Sequence, residues 1–345
     1  WHDDGSQVQI QWSENGKGFQ LRSKGTITFT DDETDVKSVS PGGYFTLMAR
    51  NGSATTYEVR AKADGSLERL WNGQPAGADA RAWLARVLPE FLRQTGYNAD
   101  ERVARILAQK GPSGVLDEIS TLRSAYVKRR YFERLLAVAT LDAPTLTRAI
   151  KQAGSEIQSD YERASVLIAI AKRGLPDQAS RLAFAESTRT MKSDYEKRRT
   201  LSALLGAGAI TADVAQVALE SAHSITSDYE LAGVLTELTP SLSLAGPALR
   251  GYFEAVATIQ SDYERARVLG AVLQAAGAGS GVRLRVIEST ATMKSDYERA
   301  RVLVATAQRG PLDEAERQAY QRAAEGIKST YERNRALAAL ERSSD

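Results

Sequence analysis

Seven copies of a short motif set a carboxylate, a phenol, a second carboxylate and a guanidinium in fixed order, as in Ser295-Asp296-Tyr297-Glu298-Arg299. The tyrosines fall at 126, 161, 195, 229, 263, 297 and 331, so the period is 34 residues after one step of 35. Repeats in register would align Asp160, Asp194, Asp228, Asp262 and Asp296 in one row. Arg163, Arg265, Arg299 and Arg333 would form another, with steps of about 10 Å. Such rows offer charge to a partner, but a folding role is simpler. Asp at the first helical position favours the positive end of the helix dipole. Asp-to-Arg pairs three apart add about 0.2–0.5 kcal/mol each, and Tyr can pack between hairpins with its hydroxyl wet. Departures from the pattern are Ala125 and Thr330 for Asp, Val127 and Lys128 for Glu and Arg, and Leu231 for Arg.

Other reactive constellations are scarce. The chain has two histidines, His2 and His223, and no cysteine, which excludes a His-Glu-x-x-His zinc site, cysteine-ligated metals and disulfides. A Ser-His-Asp triad would need His2 at the terminus or His223 one turn before a motif. Two carboxylates can form a glycosidase pair, yet nothing singles out a pair among 43 acidic residues. Gly277-Ala278-Gly279-Ser280-Gly281 looks like a phosphate loop, but Val282 stands where the final glycine belongs and no strand precedes it. It reads as a loop between helices. The chain is therefore expected to be no enzyme, with no catalytic, metal or cofactor site.

The elements that position the motif follow from its own residues. Ser precedes Glu by three in six copies, from Ser159/Glu162 to Ser329/Glu332. This is a capping box, in which the Ser hydroxyl accepts from the N3 amide and the Glu carboxylate returns to the N-cap amide. A helix thus starts at every motif, and residues such as Val268, Leu269, Val272 and Leu273 give it one apolar face. Gly174, Gly208 and Gly310 suit left-handed C-caps. Pro176, Pro311, Thr211 and Asp213 suit the first turn of a second helix. That helix ends near an apolar residue four before the next Tyr: Leu122, Ile157, Met191, Ile225, Ile259, Met293 or Ile327. The fold class is mainly α, an αα-hairpin solenoid of 34-residue repeats of tetratricopeptide or HEAT type over residues 124–345.

Residues 1–77 differ. Stretches 8–12, 26–30 and 57–60 alternate, with turns at Asn15-Gly16, Asp31-Asp32, Pro41-Gly42-Gly43, Asn51-Gly52 and Asp64-Gly65. They predict a small N-terminal antiparallel β domain of about six strands. Residues 78–123 read as a helical junction, in which Pro89 should kink or stop one helix and Asn98 should cap another. The 1–77 region carries eight basic against ten acidic residues and the remainder 37 against 33. That balance points away from nucleic acid, although a local basic face stays open. No run of some eighteen apolar residues spans a membrane. The opening Trp1-His2-Asp3 suits a processed, exported chain, and a cloned fragment would look the same.

The tetratricopeptide signature of Trp, Leu-Gly, Tyr, Ala and Pro is missing, so only the general class carries over. Ser40-Pro41-Gly42-Gly43-Tyr44, the stretch Arg81-Ala82-Trp83-Leu84-Ala85 and the seven motif copies resemble the C-terminal extracytoplasmic region of BlaR1-like bacterial membrane metallopeptidases. The resemblance covers nearly the whole chain. Their peptidase core, membrane helices and metal motif are not in this sequence, so it implies a sensor-like or interaction module without proteolysis. In domain type and size the chain also looks like the membrane-extrinsic subunits that hold a bacterial photosynthetic reaction centre within its light-harvesting ring. These resemblances imply a periplasmic scaffold, near the membrane surface by proximity only, whose partners are integral membrane protein subunits. A ligand- or peptide-sensing receptor ectodomain is the alternative. Candidate anchors are Trp1, Trp12 and Trp71 in the β region and Arg163, Arg265, Arg299 and Arg333 in the array.

Overall fold

The structure, a computed structural model, describes residues 2–3, 7–14, 16–242, 246–275 and 279–343. It divides into two compact units, Trp1–Leu141 and Asp142–Asp345.

The first unit begins with strands β1 (His2–Asp3), β2 (Gln7–Glu14), β3 (Lys17–Lys24), β4 (Ile27–Phe29), β5 (Val36–Val39), β6 (Tyr44–Asn51), β7 (Ser53–Ala61), β8 (Leu67–Trp71) and β9 (Gln74–Pro75). Seven form an antiparallel sheet in the order β1-β2-β3-β6-β7-β8-β9, while β4 and β5 pair with each other. One turn beyond those read from the sequence closes β8 onto β9: Asn72 and Gly73 take φ of 49° and 81°, as a tight hairpin turn requires. Period-two alternation puts Ile10, Leu21, Leu47 and Tyr57 in register on one buried face. Helix α1 (Ala78–Thr95) joins that core through Leu84, Leu88, Phe91 and Leu92.

Of the kink or stop expected at Pro89, the stop does not occur: α1 continues through it. The ring removes one backbone bond, while large side chains on either side of it are anchored in the core. The break falls instead in α2 (Ala99–Thr121), at Gly111 with φ 67° and ψ −174°, ahead of Pro112. Asn98 stands before α2 but makes no side-chain cap; its amide donates to Glu101 Oε2 at 2.7 Å. Helix α3 (Ala125–Val138) carries the first motif and belongs to this unit.

The second unit holds α4 (Ala143–Glu156), α5 (Asp160–Ala171), α6 (Gln178–Thr188), α7 (Asp194–Gly206), α8 (Ala212–Ala222), α9 (Asp228–Leu238), α10 (Gly246–Thr258), α11 (Asp262–Gln274), α12 (Ser280–Thr290), α13 (Asp296–Ala307), α14 (Glu314–Glu325) and α15 (Thr330–Arg342). Odd-numbered helices, which open on the motifs, pack side by side from α5 to α15, and the even-numbered ones form a second layer from α4 to α14. The protein is mainly helical after a small antiparallel β domain, and the helical array fits a solenoid. The apolar residue four before each Tyr is buried, from Ile157 at 0% to Met293 at 5% exposure. Gly174, Gly208 and Gly310 take φ of 102°, 119° and 117° just past their helices. Pro176 and Pro311 lie ahead of the next helix instead of inside its first turn. Asp177 and Asp313 are the N-caps, each closing a full capping box.

Candidate interaction surface

Each motif Ser accepts a hydrogen bond from the amide of the Glu three residues on, at 3.3–3.4 Å from Ser159 to Ser329. That is the first half of the expected box. The second half is taken over by the preceding repeat. Asp160 Oδ2 accepts from the amides of Lys192 and Ser193 at 2.7 and 2.8 Å. Asp194 accepts from the Thr226 amide and hydroxyl at 3.0 and 2.8 Å and from the Ser227 amide at 2.8 Å. Asp228 binds the amides of Gln260 and Ser261 at 3.0 and 2.6 Å. Asp262 binds those of Lys294 and Ser295 at 2.7 and 2.6 Å, and Asp296 those of Lys328 and Ser329 at 3.2 and 2.7 Å. The Asp row is thus a set of clips between neighbouring helices. Burial pushes the Asp194 carboxyl up, but the Thr226 hydroxyl and the Ser227 and Thr226 amides outweigh it and leave it below the usual carboxylate value. Ala125 and Thr330 have no carboxylate to offer.

The Arg row turns inward. Arg163 is 3% exposed, with Nε donating to Ile157 O at 2.8 Å and Nη1 to Thr190 Oγ1 at 2.7 Å. Arg265 is 6% exposed and donates to Ile259 O at 3.0 Å and Thr292 Oγ1 at 2.8 Å. Burial lowers the pKa of Arg163 and, at the equivalent position, of Lys197, whose Nζ donates to Ser224 Oγ. Arg299 and Arg333 are partly buried, and Arg299 Nη1 donates to Gly326 O at 3.3 Å. The expectation of an exposed Arg docking row is therefore corrected. Arg163 and Arg265 tie a capping turn to the next repeat.

What faces solvent is the tyrosine row. Tyr161, Tyr195, Tyr229, Tyr263, Tyr297 and Tyr331 are 53–74% exposed, so they are not packed between hairpins. A second Arg row, four residues after Tyr, completes a ladder that the sequence reading passed over. Arg267 lies over the Tyr229 ring at 5.8 Å, Arg301 over Tyr263 at 5.7 Å and Arg335 over Tyr297 at 5.5 Å. In each case the guanidinium comes from the following motif helix. Arg199 covers Tyr195 of its own helix at 5.4 Å. The capping Glu, displaced from its amide, pairs with the same Arg: Glu196 with Arg199 at 2.7 Å, Glu264 with Arg267 at 2.6 Å, Glu298 with Arg301 at 2.7 Å and Glu332 with Arg335 at 2.8 Å. The signal was the recurrence of Arg at that offset.

Of the tryptophan anchors, Trp12 and Trp71 do not meet. Trp1 lies outside the described residues. Trp12 stacks on Phe19 at 5.4 Å and lines a cavity of about 360 Å³ with Gln20, Met48 and Arg50. Trp71 is half-buried on β8, with three strands between it and β2, or about 19 Å at the usual strand spacing. A buried charge cluster was not anticipated. Glu33 accepts from Arg102 Nε at 2.6 Å and from Arg105, and Arg102 also reaches Glu118 at 2.8 Å and the Tyr131 hydroxyl at 3.0 Å. Burial pushes the Tyr131 phenol up. Both carboxylates are held by guanidinium, which suits cohesion better than proton transfer.

His223 Nε2 bonds Gly251 O at 2.9 Å. Gly277 and Ala278 lie outside the described residues, and Gly279 is the N-cap of α12. Among the described residues no three His, Cys, Asp or Glu gather as for a metal, and no helix is long and apolar enough to cross a membrane. No family model and no curated protein matches the chain. A solved chain from a computational design of self-assembling cyclic protein homooligomers is similar at 16% identity over 71% of this chain and 88% of its own, with a TM-score of 0.14. So slight a likeness carries no argument, and the functional reading rests on the ladder itself.

Proposed function

We propose that this chain is a non-catalytic interaction scaffold. It is an extrinsic subunit on the periplasmic face of a membrane protein complex, holding integral membrane subunits together. The observation that carries this reading is the row of six tyrosines, more than half exposed, on one layer of the array. Large rings at the surface in register are what hot-spot contacts are made of, and folding does not use their exposed area. The resemblance to BlaR1-like ectodomains and to reaction-centre-extrinsic subunits supplies the location, and makes a reaction centre with its antenna the implied partner.

The cavity beside Trp12 favours the second reading, a ligand- or peptide-sensing receptor ectodomain. The test is a gentle native purification from the protein's own membranes at moderate salt, with mass spectrometry of what stays bound. Stoichiometric recovery with integral membrane proteins is expected. Recovery as a lone monomer would refute a stable structural subunit and leave the sensor.

A further inference from the structure

We propose that the Tyr-Arg ladder docks a proline-rich acidic segment in polyproline II conformation, one turn of the ligand per repeat. The inference rests on the scaffold reading and names the chemistry of its partner. Three observations support it.

The first is spacing. The motif helices α5 to α15 pack side by side, which sets successive tyrosines about 8–10 Å apart. A polyproline II chain advances about 9.3 Å in each three-residue turn, so a proline at every third position meets one ring per repeat. An extended strand repeats every two residues, about 6.6 Å, and falls out of step. Aromatic rings are the usual seat of such ligands, and the ligand's preformed helix loses little entropy on binding.

The second is pre-organisation. Tyr229, Tyr263 and Tyr297 are each covered on one side by an Arg from the following helix, yet keep 61%, 57% and 53% of their surface exposed. The rings are held in place and still open.

The third is charge. Arg267, Arg301 and Arg335 are each neutralised by a Glu, and Asp228, Asp262 and Asp296 are occupied by backbone amides. Few charged groups are left to read sugar hydroxyls. Exposed lysines stand three residues before three of the six tyrosines, as Lys192, Lys294 and Lys328, while Gln158, Thr226 and Gln260 take that place before Tyr161, Tyr229 and Tyr263. Lys294 and Lys328, one repeat apart, suit one ligand carboxylate per turn over those two repeats, and three cations in six repeats are too sparse for a phosphate at every nucleotide.

The probe is a peptide of four Pro-Pro-Glu turns, about twelve residues at three per turn, titrated calorimetrically into the whole chain. A Gly-Gly-Glu peptide of equal length and charge is the control. The Pro-Pro-Glu peptide is expected to bind at least about tenfold tighter than the control. Tyr263→Ala should weaken it about 3- to 10-fold, and Tyr263→Phe should restore most of that, with the thermal melt of each variant shifted by no more than about 2 °C. Equal binding of both peptides, binding unmoved in a Tyr263→Ala/Tyr297→Ala double variant, or no binding would overturn the proposal, as would a neutral oligosaccharide or an oligo-dT bound at those tyrosines in place of the peptide. The double variant also separates this inference from the scaffold reading. If it still co-purifies with membrane subunits while the peptide fails to bind, the ladder proposal falls and the scaffold stands.

Discussion

The two units join their elements by bonds of opposite kinds. In the β unit one buried ion cluster reaches across the chain, from Glu33 to Arg102, a separation of 69 residues, and it occurs once. In the array each Asp clip spans 32 or 33 residues and is made again by the next repeat. A unique long-range link concentrates stability in a few residues, whereas a repeated local one spreads it. All four tryptophans, at 1, 12, 71 and 83, lie in the β unit, so their emission reports on that unit while helical circular dichroism reports mostly on the array.

The hardest test of this contrast is Glu33→Gln, which leaves Arg102 and Arg105 without their shared carboxylate. A loss of about 3–5 kcal/mol is expected in urea unfolding followed by tryptophan emission, with the helical transition of the array unmoved. An equal shift of both signals would erase the distinction. Asp228→Ala, in mid-array, removes the acceptor of two amides and should cost about 1.5–3 kcal/mol, read in the helical signal alone.

Acid sharpens the same point through Asp194. Its folded pKa is held below the ordinary carboxylate value of 3.8, so its clip is fully stabilising above that value. The stabilisation is lost as pH falls through the lower folded one. The helical signal of the array should weaken below about pH 4, and Asp194→Asn should remove part of that dependence. Ser295→Ala, which deletes a cap, should cost about 1 kcal/mol. Tyr297→Ala should change stability least, about 0.5 kcal/mol from its Arg335 contact, and a larger loss would mean that the ladder holds the array together.

Much of the array was legible because its signals are local. Ser295 and Glu298 announce a cap within four residues, and Met293 announces a buried register by its place in the period. The clip was not legible, because Asp262 bonds to backbone amides, which every residue except proline supplies. The tyrosines misled for a related reason. Helical phase alone leaves Tyr263 near a boundary, and only the packed neighbours show that its ring points outward. In the β unit, Asn72-Gly73 carried a readable turn signal, whereas the meeting of Glu33 with Arg102 had none, since nothing local links a turn to a helix 69 residues later. Pro89 broke a local rule because tertiary packing outweighed one missing bond. Of the site, the tyrosine positions were visible, and their exposure and their Arg partners were not.

The clips also run one way. The carboxylate always comes from the earlier helix and the amides from the later one. As the chain leaves the ribosome, each new hairpin meets a hook already in place, so the array is suited to growing behind its own synthesis. Removing hairpins from the C-terminal end leaves the last remaining hook as a surface carboxylate, which water solvates, and every other pair whole. Removing Asp160–Ala171 and what precedes it takes the acceptor from the Lys192 and Ser193 amides at the start of the next helix. The array therefore has a grain, and trimming it should be tolerated from one end and resisted from the other.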